Sequence, residues 1–389
     1  MEPAMLDPIE AAGRVLDLIE RKMEELKTLN LMVLGKTGVG KSTLINTLFG
    51  EERVKTGLGR PVTADIQRIP GDHLTIYDTP GLELGGNNSM SNLLSQVVTV
   101  INKQVEEGTL EDAVHCILYC VSTPSHRFED NEAEFIKNLQ AKIITHNIPV
   151  FIVLTQSFNK QDSAALKEYI ATLNLKVKAI VPVLATSYYV DEDYTAKPRG
   201  VAELAQLISD ALPESIKDTF AAIQCANIDL KKQKARAIIA GAAAGAAAIG
   251  ASPIPFSDAA LLVPDQIAML AGITAVFGIP VDKAALAAIL SATIGTGGAT
   301  LLGKTIVTNL IKLIPGAGSI VGGAISAATA AALTYALGEA YIVVMTMVAK
   351  GEVSPDFLKT QEGIKEIGRI FVEKMKLVRN SDGTPKVEE

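Results

Sequence analysis

Apolar positions fall into two regimes along the chain. Up to about residue 212, short apolar runs alternate with stretches whose apolar residues recur every three or four positions. Beyond about residue 236, long charge-free runs take over. Residues 7–28 come first. Ile9, Ala12, Leu16, Ile19, Met23 and Leu26 make one stripe along a helix. Asp7 is placed to cap it, Pro8 suits the first helical position, and Glu10 completes the spacing of a capping box. Such a stripe packs on its own protein or meets a partner in a coiled coil. The runs 31–35, 65–69, 73–78, 113–121, 149–155 and 179–185 predict strands. The stretches 41–49, 89–107, 130–145, 163–173 and 200–212 predict helices. That alternation is the mark of an α/β fold with a mostly parallel sheet flanked by helices. In such folds ligands lie at the carboxyl ends of the strands.

The second regime begins after a polar connecting helix, 213–236, which ends in Lys231-Lys232-Gln233-Lys234-Ala235-Arg236. These cations are a solvated helix face or a basic stop at an anionic membrane surface. Ala237 to Phe256 carries no charge, roughly the twenty residues that span a bilayer. Gly241 and Gly245 have the spacing of close helix contacts. Pro253, Pro255, Asp258 and Asp265 interrupt the next apolar stretch, which runs to Phe277. Ala284–Gly303 and Leu313–Gly338 are again charge-free, the latter opening with Pro315-Gly316-Ala317-Gly318, and Glu339 precedes a further run, Tyr341–Ala349. Two readings stand: helices lying in or on a membrane, or a compact soluble bundle in which small side chains allow close approach. Residues 354–378 form a last amphipathic helix through Phe357, Ile364, Ile367, Phe371 and Met375, and a polar tail follows Arg379.

Composition sharpens this in three ways. The 389 residues carry 43 acidic and 36 basic side chains, a net charge of −7, which argues against broad nucleic-acid binding. Apolar residues reach 48% with only 5% aromatics and no Trp, and mean hydropathy is +0.27, high for a chain of this charge. Cys116, Cys120 and Cys225 form no zinc or disulfide pattern; the first two lie in an apolar run and read as buried thiols. The acidic N-terminal stretch lacks a basic-then-apolar export signal. The location expected is cytoplasmic, at the inner face of the membrane if the helices meet lipid.

The chemistry concentrates in Gly35-Lys36-Thr37-Gly38-Val39-Gly40-Lys41-Ser42, followed by Thr43. A strand precedes it and a helix follows, the context in which GxxxxGK[ST] marks a phosphate site. Glycines let the loop curl so that its amides face phosphate oxygens, and the helix N-terminus adds partial positive charge. Lys41 reaches the β- and γ-phosphates, and Ser42 is a Mg²⁺ ligand. Asp78-Thr79-Pro80-Gly81 follows the third expected strand. There a carboxylate serves Mg²⁺ and the Gly81 amide meets a γ-phosphate. Thr63, in Gly59-Arg60-Pro61-Val62-Thr63, is a further metal ligand when the γ-phosphate is present. Together these boxes resemble G1, G2 and G3 of the TRAFAC-class, Era-like GTPases, over residues 30–212. The resemblance implies a GTP/GDP site with Mg²⁺, with Lys41, Thr63 and Gly81 in the catalytic roles.

The base-recognition box departs from that pattern. The strand Val150–Leu154 runs into Thr155-Gln156-Ser157-Phe158, and a literal Asn159-Lys160-Gln161-Asp162 follows four residues late. Either Thr155-Gln156 holds the usual place and lacks the Asp, or a longer loop brings Asp162 to guanine. Ala185-Thr186 resembles G5, which touches the base through backbone. Leu82 stands where Ras-like enzymes place the Gln that orients water. Gly38 stands where potassium-activated relatives have Asn. Arg60 is an exposed loop residue or an arginine finger. These departures imply slow turnover that rises with self-association or a partner.

Ser252-Pro253-Ile254-Pro255-Phe256-Ser257-Asp258-Ala259-Ala260-Leu261-Leu262 is the first of four segments that resemble an Ala/Gly-rich helical domain of unknown function, found behind Era-like domains in bacterial GTPases. The others are Gln266-Ile267-Ala268-Met269, Ile314-Pro315-Gly316-Ala317-Gly318 and Thr334-Tyr335-Ala336-Leu337-Gly338. The organisation expected is an N-terminal helix (1–29), a G domain (30–212), a connecting helix (213–236), an all-α domain (237–350) and a final helix with its tail (351–389). The function expected is Mg²⁺-dependent GTP hydrolysis that switches the helical domain. A homodimer across the nucleotide face and a membrane surface are the partners expected, and nucleic acid is not. Two alternatives stay open: a nucleotide-gated scaffold with negligible turnover, and an ATP-using P-loop protein.

Overall fold

The computed structural model describes residues 8–50, 66–79, 87–107, 113–189, 194–250, 258–294 and 327–377. The chain divides into two compact units: Leu26–Asn227, and Met1–Glu25 together with Ile228–Glu389.

The first unit is a six-stranded sheet with helices around it. Its strands are β1 (Leu29–Gly35), β2 (Gln67–Gly71), β3 (Leu74–Asp78), β4 (Cys116–Ser122), β5 (Val150–Thr155) and β6 (Ala179–Pro182). Their order in the sheet is β2-β3-β1-β4-β5-β6. Only the edge strand β2 runs antiparallel, pairing with β3; β1–β3, β1–β4, β4–β5 and β5–β6 are parallel. Every residue of β1 and β5 is buried, as expected of strands covered on both faces. The helices are α2 (Lys41–Phe49), α3 (Asn87–Glu107), α4 (Asp130–Lys142), α5 (Lys160–Thr172), α6 (Val201–Ala211) and α7 (Glu214–Ile223). Short strands β7 (Tyr188–Tyr189) and β8 (Thr195–Ala196) form a hairpin after β6. One face of the sheet packs Met32, Ile117, Tyr119 and Ile152 against Val97, Ile101, Phe135 and Ile136 of α3 and α4. Cys116 and Cys120 are buried, and burial pushes the Cys120 thiol up to about 12.

Among the described residues the regular elements of the second unit are all helices: α1 (Pro8–Glu24), α8 (Ile228–Gly250), α9 (Asp258–Phe277), α10 (Lys283–Ile294), α11 (Ala327–Ala349) and α12 (Gln361–Leu377). Helix α1 packs inside this unit: of the expected stripe Ala12, Leu16 and Ile19 meet the core formed by α8 to α12, joined by Ala11 and Val15, whereas Ile9 is exposed. No continuous connecting helix spans 213–236. Gln224 ends α7, its side-chain oxygen accepting the Asn227 amide at 2.8 Å and its amide nitrogen donating to the Asn227 carbonyl at 2.9 Å. A new helix begins at Ile228 and runs on into the Ala/Gly stretch.

The basic cluster of α8 is occupied within its own unit. Lys231 is buried, and its ammonium donates to the carbonyls of Val276 (3.1 Å) and Phe277 (2.8 Å) at the end of α9. Lys232 pairs with Asp229 at 3.0 Å, and Arg236 grips Glu339 through two nitrogens at 3.0 and 3.4 Å. Of the expected pair, Gly245 has a close neighbour, an added Cβ lying 3.3 Å from Asp265 Oδ2, whereas one at Gly241 would meet nothing within 4 Å; a closer helix approach occurs at Gly338, where it would lie 2.4 Å from Ile239 Cγ1. Among the described residues, no helix is long and apolar enough to cross a membrane.

Candidate functional site

The site is assembled at the carboxyl ends of β1, β3, β4 and β5. After β1 the chain turns through three glycines with positive φ: Gly35 (140°), Gly38 (77°) and Gly40 (91°). A side chain at Gly35 would also collide with backbone, since its Cβ would lie 2.4 Å from the Cys120 carbonyl oxygen. Gly40 ends the turn in a left-handed conformation, and α2 begins at Lys41 without a side-chain cap. The first amides of α2 therefore have no carbonyl partners within the helix. With the helix dipole, they form an anion-binding cup.

Lys41 lies across this loop. Its ammonium donates to the carbonyls of Gly35 (2.9 Å) and Lys36 (3.1 Å). Burial lowers its pKa, against the opposing pull of the Asp78 carboxylate. Asp78, at the end of β3, responds in the opposite sense: burial raises its pKa while Lys41 and the Thr79 amide hold it down. Among the described residues, its Oδ1 is buried without a hydrogen-bond partner. An orphaned carboxylate oxygen beside a phosphate cup is the donor that a hydrated divalent cation takes. Asp78 and the Ser42 hydroxyl at the head of α2 thus fit Mg²⁺. Thr79 anchors the segment, its hydroxyl donating to the Val33 carbonyl at 3.1 Å. Arg60, Thr63, Gly81 and Leu82 lie outside the described residues.

The opposite wall is built by β5. Thr155 is buried, its Oγ1 lying between the carbonyl oxygens of Val39 in the loop and Val121 in β4, which share its single proton. Gln156, held at φ 54°, donates from Nε2 to Gly38 O at 3.1 Å and accepts from the Ser122 hydroxyl at 2.9 Å. Thr155-Gln156 therefore grips the glycine loop directly. Asn159-Lys160-Gln161-Asp162 has a different local role. The Asn159 side chain caps α5, accepting from the amides of Gln161 (2.9 Å) and Asp162 (3.4 Å). The Asp162 carboxylate lies 3.9 Å from His126 Nε2. Phe158 stacks on Tyr188 with centroids 4.5 Å apart and planes 10° from parallel. Ala185 and the exposed Thr186 lie beyond β6.

Two features escape a linear reading. Lys36, inside the glycine motif, is bound to α4: its ammonium lies 3.1 Å from Glu129 Oε1 and 3.1 Å from Glu132 Oε2. The carboxylates outweigh burial and raise its pKa. Ser122 and Thr123 form the floor beneath the Gln156 segment, Thr123 and Ser157 being joined hydroxyl to hydroxyl at 2.8 Å.

The glycine loop, the half-buried Lys41 and Asp78 all lie within a family match. Residues 30–156 match the family described as 50S ribosome-binding GTPase. This unit has the mostly parallel sheet and the glycine loop of a P-loop G domain. Residues 221–367 match a domain of unknown function, DUF697. Among curated proteins, the chain is 30% identical over 187 residues to Septin-9 of Homo sapiens, covering 40% of this chain and 29% of that one. To the neuronal-specific septin-3 of Mus musculus it is 26% identical over 215 residues, covering 48% and 57%. The chain spans about a third or less of the length of the Septin-9 proteins it matches. Among solved structures, Era in complex with MgGDPNP and a 16S ribosomal RNA segment covers 49% of this chain and 58% of its own, at 23% identity and a TM-score of 0.33.

Proposed function

We propose that the chain binds guanine nucleotide in the loop between β1 and α2 and hydrolyses GTP to GDP and phosphate. The observation that carries this reading is the pairing of the glycine-loop cup with Lys41 and with Asp78, whose Oδ1 lacks a partner among the described residues. Loop amides and the Lys41 ammonium hold the β- and γ-phosphates, and this cation offsets charge that builds on the transferred group. Asp78 and Ser42, with Thr63, would hold Mg²⁺, which would neutralise charge on the phosphate oxygens. Thr155 and Gln156 fix the loop from the base side.

In this reading water attacks the γ-phosphate without a side-chain base. In the sequence Leu82 stands where Ras-like enzymes have the Gln that orients water, and leucine neither donates to water nor accepts from it. Turnover is therefore slow, and a second copy across the nucleotide face supplies the missing group. The helical unit is the output of the switch, and any lipid contact it makes is at a membrane surface. The test is phosphate release from GTP and from ATP across a hundredfold range of protein concentration. GTP turnover per molecule should rise with concentration while ATP turnover stays near background. Turnover flat near zero at every concentration would favour the scaffold, a reading that Leu82 also supports. Preferred ATP turnover would overturn the guanine assignment.

A further inference from the structure

Lys36 belongs to the phosphate motif by sequence, yet its side chain points to α4. There it meets a carboxylate that is out of place on ordinary grounds. Glu132 is 2% exposed, in the first turn of its helix. A carboxylate so far from water persists only when its oxygens are filled. They are filled from three elements. The Tyr119 hydroxyl of β4 donates to Oε1 at 3.0 Å; the Lys36 ammonium and the Glu129 amide reach Oε2 at 3.1 and 3.0 Å. Glu129 closes the arrangement, holding Lys36 from the other side at 3.1 Å. The Lys36 carbonyl oxygen, on the same residue, receives the Lys41 ammonium.

We infer that Glu132 is a positioning residue for the phosphate site: by fixing the Lys36 side chain on α4 it keeps the Lys36 carbonyl turned toward Lys41, and so sets where the Lys41 ammonium stands for the nucleotide. This rests on the nucleotide reading above. Glu132 touches no reacting atom and acts through two lysines. The relay also ties the loop to the N-terminus of α4.

The test is the affinity of the full chain for a fluorescent GDP, with the KM and kcat of GTP turnover measured alongside and thermal melting as the fold check. Glu132→Gln should weaken GDP binding about tenfold and raise KM while lowering kcat. Glu134→Gln, an exposed neighbour on α4, should change nothing. A merely structural role would reduce the active fraction, lowering apparent kcat at unchanged KM and Kd. The double variant K36M/E132M removes both charges together, so no buried ion is left unpaired. It still strips the Tyr119 hydroxyl and the Glu129 amide of their acceptor, so it should melt below wild type but as a folded chain, and bind GDP about tenfold more weakly. Wild-type affinity, within twofold, in either variant would overturn the inference while leaving the nucleotide reading intact. A wild-type chain that binds no GDP would overturn both.

Discussion

Thr155→Val keeps the shape of a buried side chain and removes one hydroxyl. That hydroxyl lies between the carbonyls of Val39 and Val121, one in the phosphate loop and one in the central sheet. A neutral hydrogen bond contributes about 1 kcal/mol net, and a buried acceptor stripped of its donor costs about 1–3 kcal/mol. The variant should therefore lose about 2 kcal/mol in the sheet unit. It should also bind GDP several-fold more weakly, because Val39 stands at the centre of the loop. Thr155→Ser separates hydroxyl from shape: it keeps the donor, drops one methyl, and should cost about 1 kcal/mol or less. The two units need not melt together, so the assay is scanning calorimetry with and without GDP, following the transition that GDP shifts. If the valine variant melts and binds like wild type, or the serine variant is equally damaged, Thr155 does not tie β5 to the loop.

His115 gives a pH signature. Its Nδ1 accepts the Asn30 amide at 3.0 Å, and burial pushes its pKa down to about 4. The unfolded imidazole, near 6.5, binds a proton that the folded one rejects, so this contribution is complete above pH 6.5 and is lost as pH falls toward 4. The gap amounts to roughly 3 kcal/mol, and His115→Asn, which keeps an acceptor but does not titrate, should flatten the melting profile between pH 6.5 and 4. In the helical unit, two glycine substitutions should have opposite signs. Gly338→Ala forces a methyl onto Ile239 and should destabilise by about 1–3 kcal/mol, whereas Gly241→Ala meets nothing and should stabilise by up to about 1 kcal/mol, both read by thermal melting.

The α/β unit was legible because its signals are local. The apolar runs of β1 and β5 and the glycine motif each fit within a few residues, and α2 occupies the expected 41–49. The break at 224–227 was not, because it depends on one glutamine folding back on Asn227 rather than on a Gly or Pro. Asn159 carried a readable signal in two languages. As the first residue of Asn-Lys-Gln-Asp it suggests base recognition, and as an Asn before an acidic first turn it suggests a cap, the role its side chain takes here. That cap starts α5 three residues before the expected 163. The Lys36–Glu132 pair spans 96 positions, so no spacing rule could have found it. The small-residue pattern at Gly241 and Gly245 marked a helix able to pack closely. Gly245 is approached by the Asp265 side chain, and the tighter helix approach is at Gly338, which Ile239 faces.

Nucleotide binding itself is tested most directly by titration calorimetry of the full chain with GDP and with ADP in the presence of Mg²⁺, repeated with Lys41→Ala. The expected result is one GDP per chain, much weaker ADP binding, and a loss of affinity of roughly ten- to a hundredfold in the variant, the cost of one charged contact to phosphate. Equal binding of GDP by wild type and variant, or no binding by either, would contradict it.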